Sequence, residues 1–195
     1  LLSDCQAAYA PESFRGGAAP LCAVGNDGIY SLELWHGPTA AFKDMALQIM
    51  PRLLSRALVK TGEKRTALIL VATSGDTGKA ALEGYRDIDK IKISVYYPVN
   101  GVSRAQKLQM TTQEGANVNV CAINGNFDDA QNGVKKIFGD ADFAAELDKK
   151  GYFLSSANSI NWGRLVPQTV YYISAWCDLY NKGEIAFGEK IDVCV

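Results

Sequence analysis

The chain has 195 residues, 48% of them apolar, and a formal net charge of −1. That is enough apolar material to build one large domain or two small ones, and it excludes a disordered tract. The near-zero charge, with no basic run and no apolar stretch of spanning length, excludes nucleic acid, anionic lipid and a membrane span as main partners.

Residues 1–28 are mixed in pattern. Asn26-Asp27-Gly28 between the apolar runs 21–24 and 29–34 predicts a β-hairpin. The chain then turns through His36-Gly37-Pro38-Thr39 and opens a helix near Phe42 that runs to Lys60, apolar nearly all round and therefore expected between layers. Pro51 should kink or break it, and Gly62 should stop it. From residue 66 the pattern becomes an alternation of strand and helix. Strands are expected at 66–72, 91–97, 118–123, 152–155 and 190–195. Helices are expected at 79–86, 103–114 (capped by Ser103 and ended by Gly115), 126–138, 141–150 and, as one long amphipathic element, within 161–181. Repeated β-α units predict an α/β fold with a parallel sheet and helices on both faces.

Five scattered cysteines without metal spacing read as small buried thiols in a reduced, cytoplasmic protein. The single histidine, His36, reads as a turn or packing residue, and no metal site is expected. The chain lacks an initiator Met and ends on the apolar run 191–195, so we expect a piece of a longer protein.

Three stretches carry candidate chemistry. Lys43 falls in the first turn of its helix, where the macrodipole disfavours a cation, and Ala40, Ala41, Phe42, Met45 and Ala46 would add a desolvation penalty. Both effects favour the neutral amine that Schiff-base chemistry requires; a solvated first-turn lysine is the plainer alternative. Ser74-Gly75-Asp76-Thr77-Gly78 follows a strand and leads into a helix, so its hydroxyls and free N–H groups suit a carboxylate or phosphate. An ordinary βα loop with capping side chains would read the same. Residues 155–164 also follow a strand and precede a helix, and Asn158, Asn161 and Arg164 suit an oxyanion; there the alternative is a polar N-cap with Arg164 solvated or ion-paired. Gly125-Asn126-Phe127-Asp128 reads as a structural cap.

Three segments together resemble the threonine synthases, pyridoxal-phosphate enzymes of the tryptophan synthase β-like, fold type II group. They are Glu33-Leu34-Trp35-His36-Gly37-Pro38-Thr39-Ala40-Ala41-Phe42-Lys43-Asp44, Ala72-Thr73-Ser74-Gly75-Asp76-Thr77-Gly78, and Ser156-Ala157-Asn158-Ser159-Ile160-Asn161-Trp162-Gly163-Arg164. The resemblance implies a three-layer parallel-sheet fold, here incomplete. Residues 1–65 would belong to the large cofactor domain, 66–185 would form the small α/β domain, and 186–195 would begin the return. It implies pyridoxal 5'-phosphate as cofactor, held by Lys43 with Phe42 packed near the ring. Asp76 stands where many relatives have an Asn contacting the ring 3'-oxygen. Thr73, Ser74, Gly75 and Thr77 would take the substrate carboxylate, and Asn158, Asn161 and Arg164 its phosphate. The implied reaction is O-phospho-L-homoserine plus water to L-threonine and phosphate. The implied partner is this small molecule, with a homo-oligomer compatible. The Gly-rich loop for the cofactor phosphate and the ring-nitrogen partner are expected beyond Val195, so the piece by itself is expected to lack a complete cofactor site. Another fold type II lyase, such as a threonine dehydratase or cysteine synthase, and a non-catalytic phosphate-binding module are the alternatives.

Overall fold

The structure is a computed structural model that describes all residues 1–195. Its centre is a four-stranded parallel sheet built from β3 (Thr66–Ala72), β4 (Ile91–Pro98), β5 (Val118–Ile123) and β6 (Tyr152–Ser156), in the order β5-β4-β3-β6. The predicted hairpin is also present, as β1 (Leu21–Ala23) paired antiparallel with β2 (Tyr30–Leu32). β3 is apolar along its whole length because both of its faces are covered. Ala67, Ile69 and Val71 join a core with α2 (Asp44–Thr61), α3 (Asp76–Tyr85) and Met110 of α4 (Arg104–Thr111). On the other face Leu70 and Ala72 pack with Ala130 and Val134 of α5 (Phe127–Gly139). This is the expected α/β arrangement of helix, sheet and helix layers.

The chain runs outward from β3 to β4 and β5, then returns through α5 and α6 (Ala141–Lys149) to lay β6 on the opposite side of β3. The carboxyl ends of β3 and β6 therefore flank a topological switch point, where a crevice opens in sheets of this kind.

Several elements differ from expectation. α1 (Leu2–Ala8) was not anticipated. α3 begins at Asp76, three residues early, so Asp76 and Thr77 form its first turn, and α4 stops at Thr111. The single helix expected within 161–181 is split into α7 (Trp162–Leu165), a 3-10 turn (Val166–Thr169) and α8 (Val170–Asn181). Pro167 lies in that turn and cannot donate the backbone bond that would carry a helix through it. Residues 190–195 form no strand; a strand needs a neighbouring ladder, and none lies beside them. None of the cysteines is fully buried, and four of the five are exposed, so packing does not explain them.

Pro51 does not break α2, which continues through it. The residue removes the N–H that Leu47's carbonyl would accept. Gly84 of α3 lies directly over that carbonyl: a Cβ there would sit 1.9 Å from the Leu47 oxygen. The glycine thus lets α3 close onto the very stretch of α2 that the proline leaves without its bond. Gly62 ends α2 in the left-handed conformation, φ 70°. The expected caps of α4 and α5 are present, Ser103 accepting from Gln106 N–H and Asn126 forming a reciprocal capping box with Asp129. No helix is long and apolar enough to cross a membrane.

Candidate active site

Lys43 occupies the N-cap position of α2, at the end of the turn that begins at His36. Its side chain is only 16% exposed and forms an ion pair with Asp76, the first residue of α3. The first and second candidate stretches therefore meet, at the carboxyl end of β3. The amine is therefore one half of an ion pair rather than free in apolar surroundings, because Asp76 comes from a distant part of the chain. The Lys43 Nζ also lies 4.2 Å from the centroid of the Phe42 ring. Burial alone would raise the Asp76 carboxyl, but the hydrogen bond and charge of Lys43 outweigh it and hold the group below the usual carboxylate range.

A depressed carboxylate contributes stability above its unfolded value and loses it as pH falls through the folded value. We therefore expect the chain to weaken more steeply with acid below about pH 4 than its Asp76→Asn variant does. Urea unfolding midpoints between pH 5 and pH 3 measure this; parallel curves for the two proteins would contradict it.

The turn itself is built around Asp44, which is 1% exposed. Its carboxylate accepts from Thr39 N–H at 2.9 Å, Thr39 Oγ1 at 2.6 Å and Ala41 N–H at 3.5 Å. Burial pushes this carboxyl up, against the pull of those donors and of Lys79. His36 pairs through Nε2 with Glu33 Oε2 at 2.6 Å and stacks on Trp35, which places it as a packing residue of the turn.

In the second stretch Thr73 is buried, and its Oγ1 accepts from the N–H groups of Gly75 and Gly78, both at 2.9 Å. Thr73 thus braces the loop from inside. Thr77 N–H donates to Asp76 Oδ1 at 2.8 Å. The expected row of free amides is consequently reduced to those of Ser74 and Asp76, alongside the Ser74 and Thr77 hydroxyls. Gly75 holds φ +140°, a conformation closed to other residues, and a Cβ would strike Gln106 at 2.3 Å.

The third stretch lies beside the second. Asn158 Nδ2 donates to Ala72 O at 3.2 Å, tying the end of β6 to the end of β3. Asn161 caps α7, accepting from Gly163 N–H, and donates to Ser156 O at 2.9 Å. Both asparagine NH₂ groups are thus spent on backbone carbonyls. Arg164 is different. It is 4% exposed, its Nη1 is buried without an acceptor, and its guanidinium carbon lies 5.9 Å from the centroid of the same Phe42 ring. Burial pulls it below its ordinary value. A buried cationic donor without an acceptor is costly and is the natural seat of an incoming anion.

Sequence reasoning missed Lys79, Tyr171 and Tyr85. Lys79 is 8% exposed and donates to Thr39 O at 2.7 Å. A lysine between Gly78 and the apolar run Ala80–Leu82 was the available signal. Tyr171 donates to the Phe42 carbonyl and so anchors the residue before Lys43. Tyr85 is fully buried, and its hydroxyl has no partner. No local pattern marked either tyrosine.

The arrangement fits a cofactor that carries an aldehyde, an aromatic ring and anionic groups: an amine, a neighbouring carboxylate, a flat aromatic ring and an unsatisfied guanidinium converge. Comparison with known proteins points the same way. A threonine synthase of Pseudomonas aeruginosa is 50% identical over 150 residues, covering 77% of this chain and 30% of that protein. Human "Threonine synthase-like 1" is 44% identical over 172 residues, covering 85% of this chain and 23% of its own length. The crystal structure of pyridoxal-phosphate-bound threonine synthase from Brucella melitensis superposes with a TM-score of 0.79 at 42% identity, over 91% of this chain and 37% of that one. The chain therefore spans roughly a quarter to two-fifths of the relatives it matches. Residues 18–195 match the family described as pyridoxal-phosphate dependent enzyme, and the chain belongs to that family.

Proposed function

We propose that this chain is the lysine-bearing part of an enzyme converting O-phospho-L-homoserine and water to L-threonine and phosphate. The observation that carries the reading is the pairing of Lys43 with Asp76 beside a ring whose surroundings include the buried, acceptor-less Arg164. The high identity to threonine synthases supports it.

Pyridoxal 5'-phosphate, when bound, supplies an electron sink for charge developing at the substrate carbon. The chain's own groups do the rest. Lys43 would hold the cofactor through its aldehyde, and its amine is placed to take and return protons, a role suited to an amine held at a fixed place. Asp76 orients that amine through their ion pair and would present a carboxylate acceptor to a protonated group of the bound cofactor. The Ser74 amide and the Ser74 and Thr77 hydroxyls receive the substrate carboxylate, while Gly75, its N–H already taken by Thr73 Oγ1, and Thr73 keep the loop in shape. Arg164 neutralises the substrate phosphate, which makes it a better leaving group, while Asn158 and Asn161 hold the two loops that frame it. We place residues 1–65 in the large domain and 66–185 in the small one, and the enzyme in the cytoplasm as a homo-oligomer. The human relative's name, "Threonine synthase-like 1", keeps a second reading in view: another fold type II lyase on the same scaffold.

Two measurements on the full-length protein decide it. Pyridoxal phosphate should produce a long-wavelength absorbance band that Lys43→Ala abolishes, with kcat falling about 10³-fold or more. Phosphate release from O-phosphohomoserine should far exceed ammonia release from threonine. The reverse preference would select the second reading, and no band at all would sink both.

A further inference from the structure

We propose that Lys79 is a positioning residue: by holding the Thr39 carbonyl it fixes the place of the Lys43 amine. The inference rests on the reading of Lys43 as the reactive amine. The turn before Lys43 is strained. Ala40 takes φ 55°, a left-handed conformation that is unfavourable for a non-glycine residue. Gly37 is pressed so closely on Asp44 that a Cβ would lie 2.5 Å from its Oδ2. Such a turn persists only if its surroundings over-determine it.

Two side chains from different helices do this. Asp44, on α2, takes the donors of Thr39, both its N–H and its hydroxyl. Lys79, on α3, takes the acceptor of the same residue at 2.7 Å. Thr39 itself is 6% exposed, so water does not substitute for either. Every polar group of Thr39 is thus engaged by one of two buried opposite charges.

The position of Lys79 gives this clamp its function. It lies three residues after Asp76 on α3, so the two project from one side of the helix, a single turn apart. Asp76 holds the Lys43 amine and Lys79 holds the turn that delivers it. One helix therefore sets both the end of the lysine side chain and the backbone from which it springs. A lysine present only to balance Asp44 would not need to reach the Thr39 carbonyl.

The test reads Lys43 directly. The full-length protein, freed of cofactor, would be labelled in trace amounts with acetic anhydride at one fixed pH, and acetylation at Lys43 quantified by mass spectrometry in the unsubstituted protein, Lys79→Met and Lys79→Arg. We expect Lys43 labelling to rise about tenfold in Lys79→Met, as expected when a charge-assisted hydrogen bond in the clamp is lost. Lys79→Arg, which restores a cationic donor, should recover part of this change. A Lys79→Met protein that melts earlier but labels at Lys43 at an unchanged rate overturns the proposal and leaves Lys79 a purely structural ion. Should Lys79→Met fail to fold, the Asp44→Asn/Lys79→Met pair removes both buried charges together. It must show the same rise in labelling, and an unchanged rate there is equally fatal. Failure of the proposed reaction would appear instead as an unsubstituted protein that neither binds pyridoxal phosphate nor releases phosphate, an outcome the labelling does not read.

Discussion

Arg164→Met is expected to yield a protein that is more stable and far less active on the proposed phosphorylated substrate. Arg164 is 4% exposed as a residue, and its Nη1 lacks any acceptor, so the fold bears the cost of a poorly compensated charge. Replacing such a group by an apolar side chain of similar length is commonly stabilising, here by about 1–3 kcal/mol. Activity should move the other way. Removing a buried cationic partner of an anion costs about 2–5 kcal/mol, so kcat/KM for O-phosphohomoserine should fall between about thirtyfold and several thousandfold. Arg164→Lys should recover only part of it, since an ammonium lacks the planar fork. Calorimetry and a phosphate-release assay on the full-length protein measure the two effects. A variant that melts lower and works unchanged would mean that Arg164 supports the fold and meets no anion.

Gly84→Ala should be among the most damaging single substitutions in the chain. The added methyl would sit 1.9 Å from the Leu47 carbonyl oxygen and 2.7 Å from its carbon. Those are backbone atoms, so no rotamer change relieves the clash; α2 and α3 must separate. Overpacking of this kind costs about 3 kcal/mol or more. The separation should also reach the site, because α2 begins beside Lys43 and α3 begins at its partner Asp76. A shift near 1 Å in such a pair can cost about 10²-fold in rate. Gly133→Ala is the control: it lies inside α5 with nothing within 4 Å of its would-be Cβ. There the substitution should stabilise by about 0.5–1 kcal/mol. Urea midpoints for both variants decide the matter, and equal midpoints would refute the close helix contact.

How much of this was legible beforehand depends on the range of the interaction. β3 and β5 match their expected ranges, and the caps at Ser103, Asn126 and Gly62 are present as expected. Apolar runs and capping side chains act within a few residues, so one sequence suffices to see them. That α2 runs on through Pro51 was not legible, because it depends on what faces the Leu47 carbonyl, and that is Gly84, 37 positions further along the chain. The 190–195 strand was misjudged for a related reason: an extended apolar segment becomes a strand only beside a partner edge. The spacing of Gly-Pro-Thr-x-x-Phe-Lys-Asp gave no hint that its Asp is a buried anchor for Thr39 rather than a helix-start charge.

The amino-acid order alone settled the α/β class, the family resemblance and the three loops proposed to carry the chemistry, because periodicity, turn residues and short motifs are local properties. Tertiary structure decided which groups in those loops are free and which are spent. It set Lys43 against Asp76, turned Asn158 and Asn161 into braces, and left the Arg164 guanidinium buried with an unanswered Nη1. The return of β6 to the far side of β3 brings together loops more than 80 residues apart, as in the bond from Asn158 to Ala72. Hydrogen-bond partners and burial depend on that crossing, and nothing within any one loop encodes it.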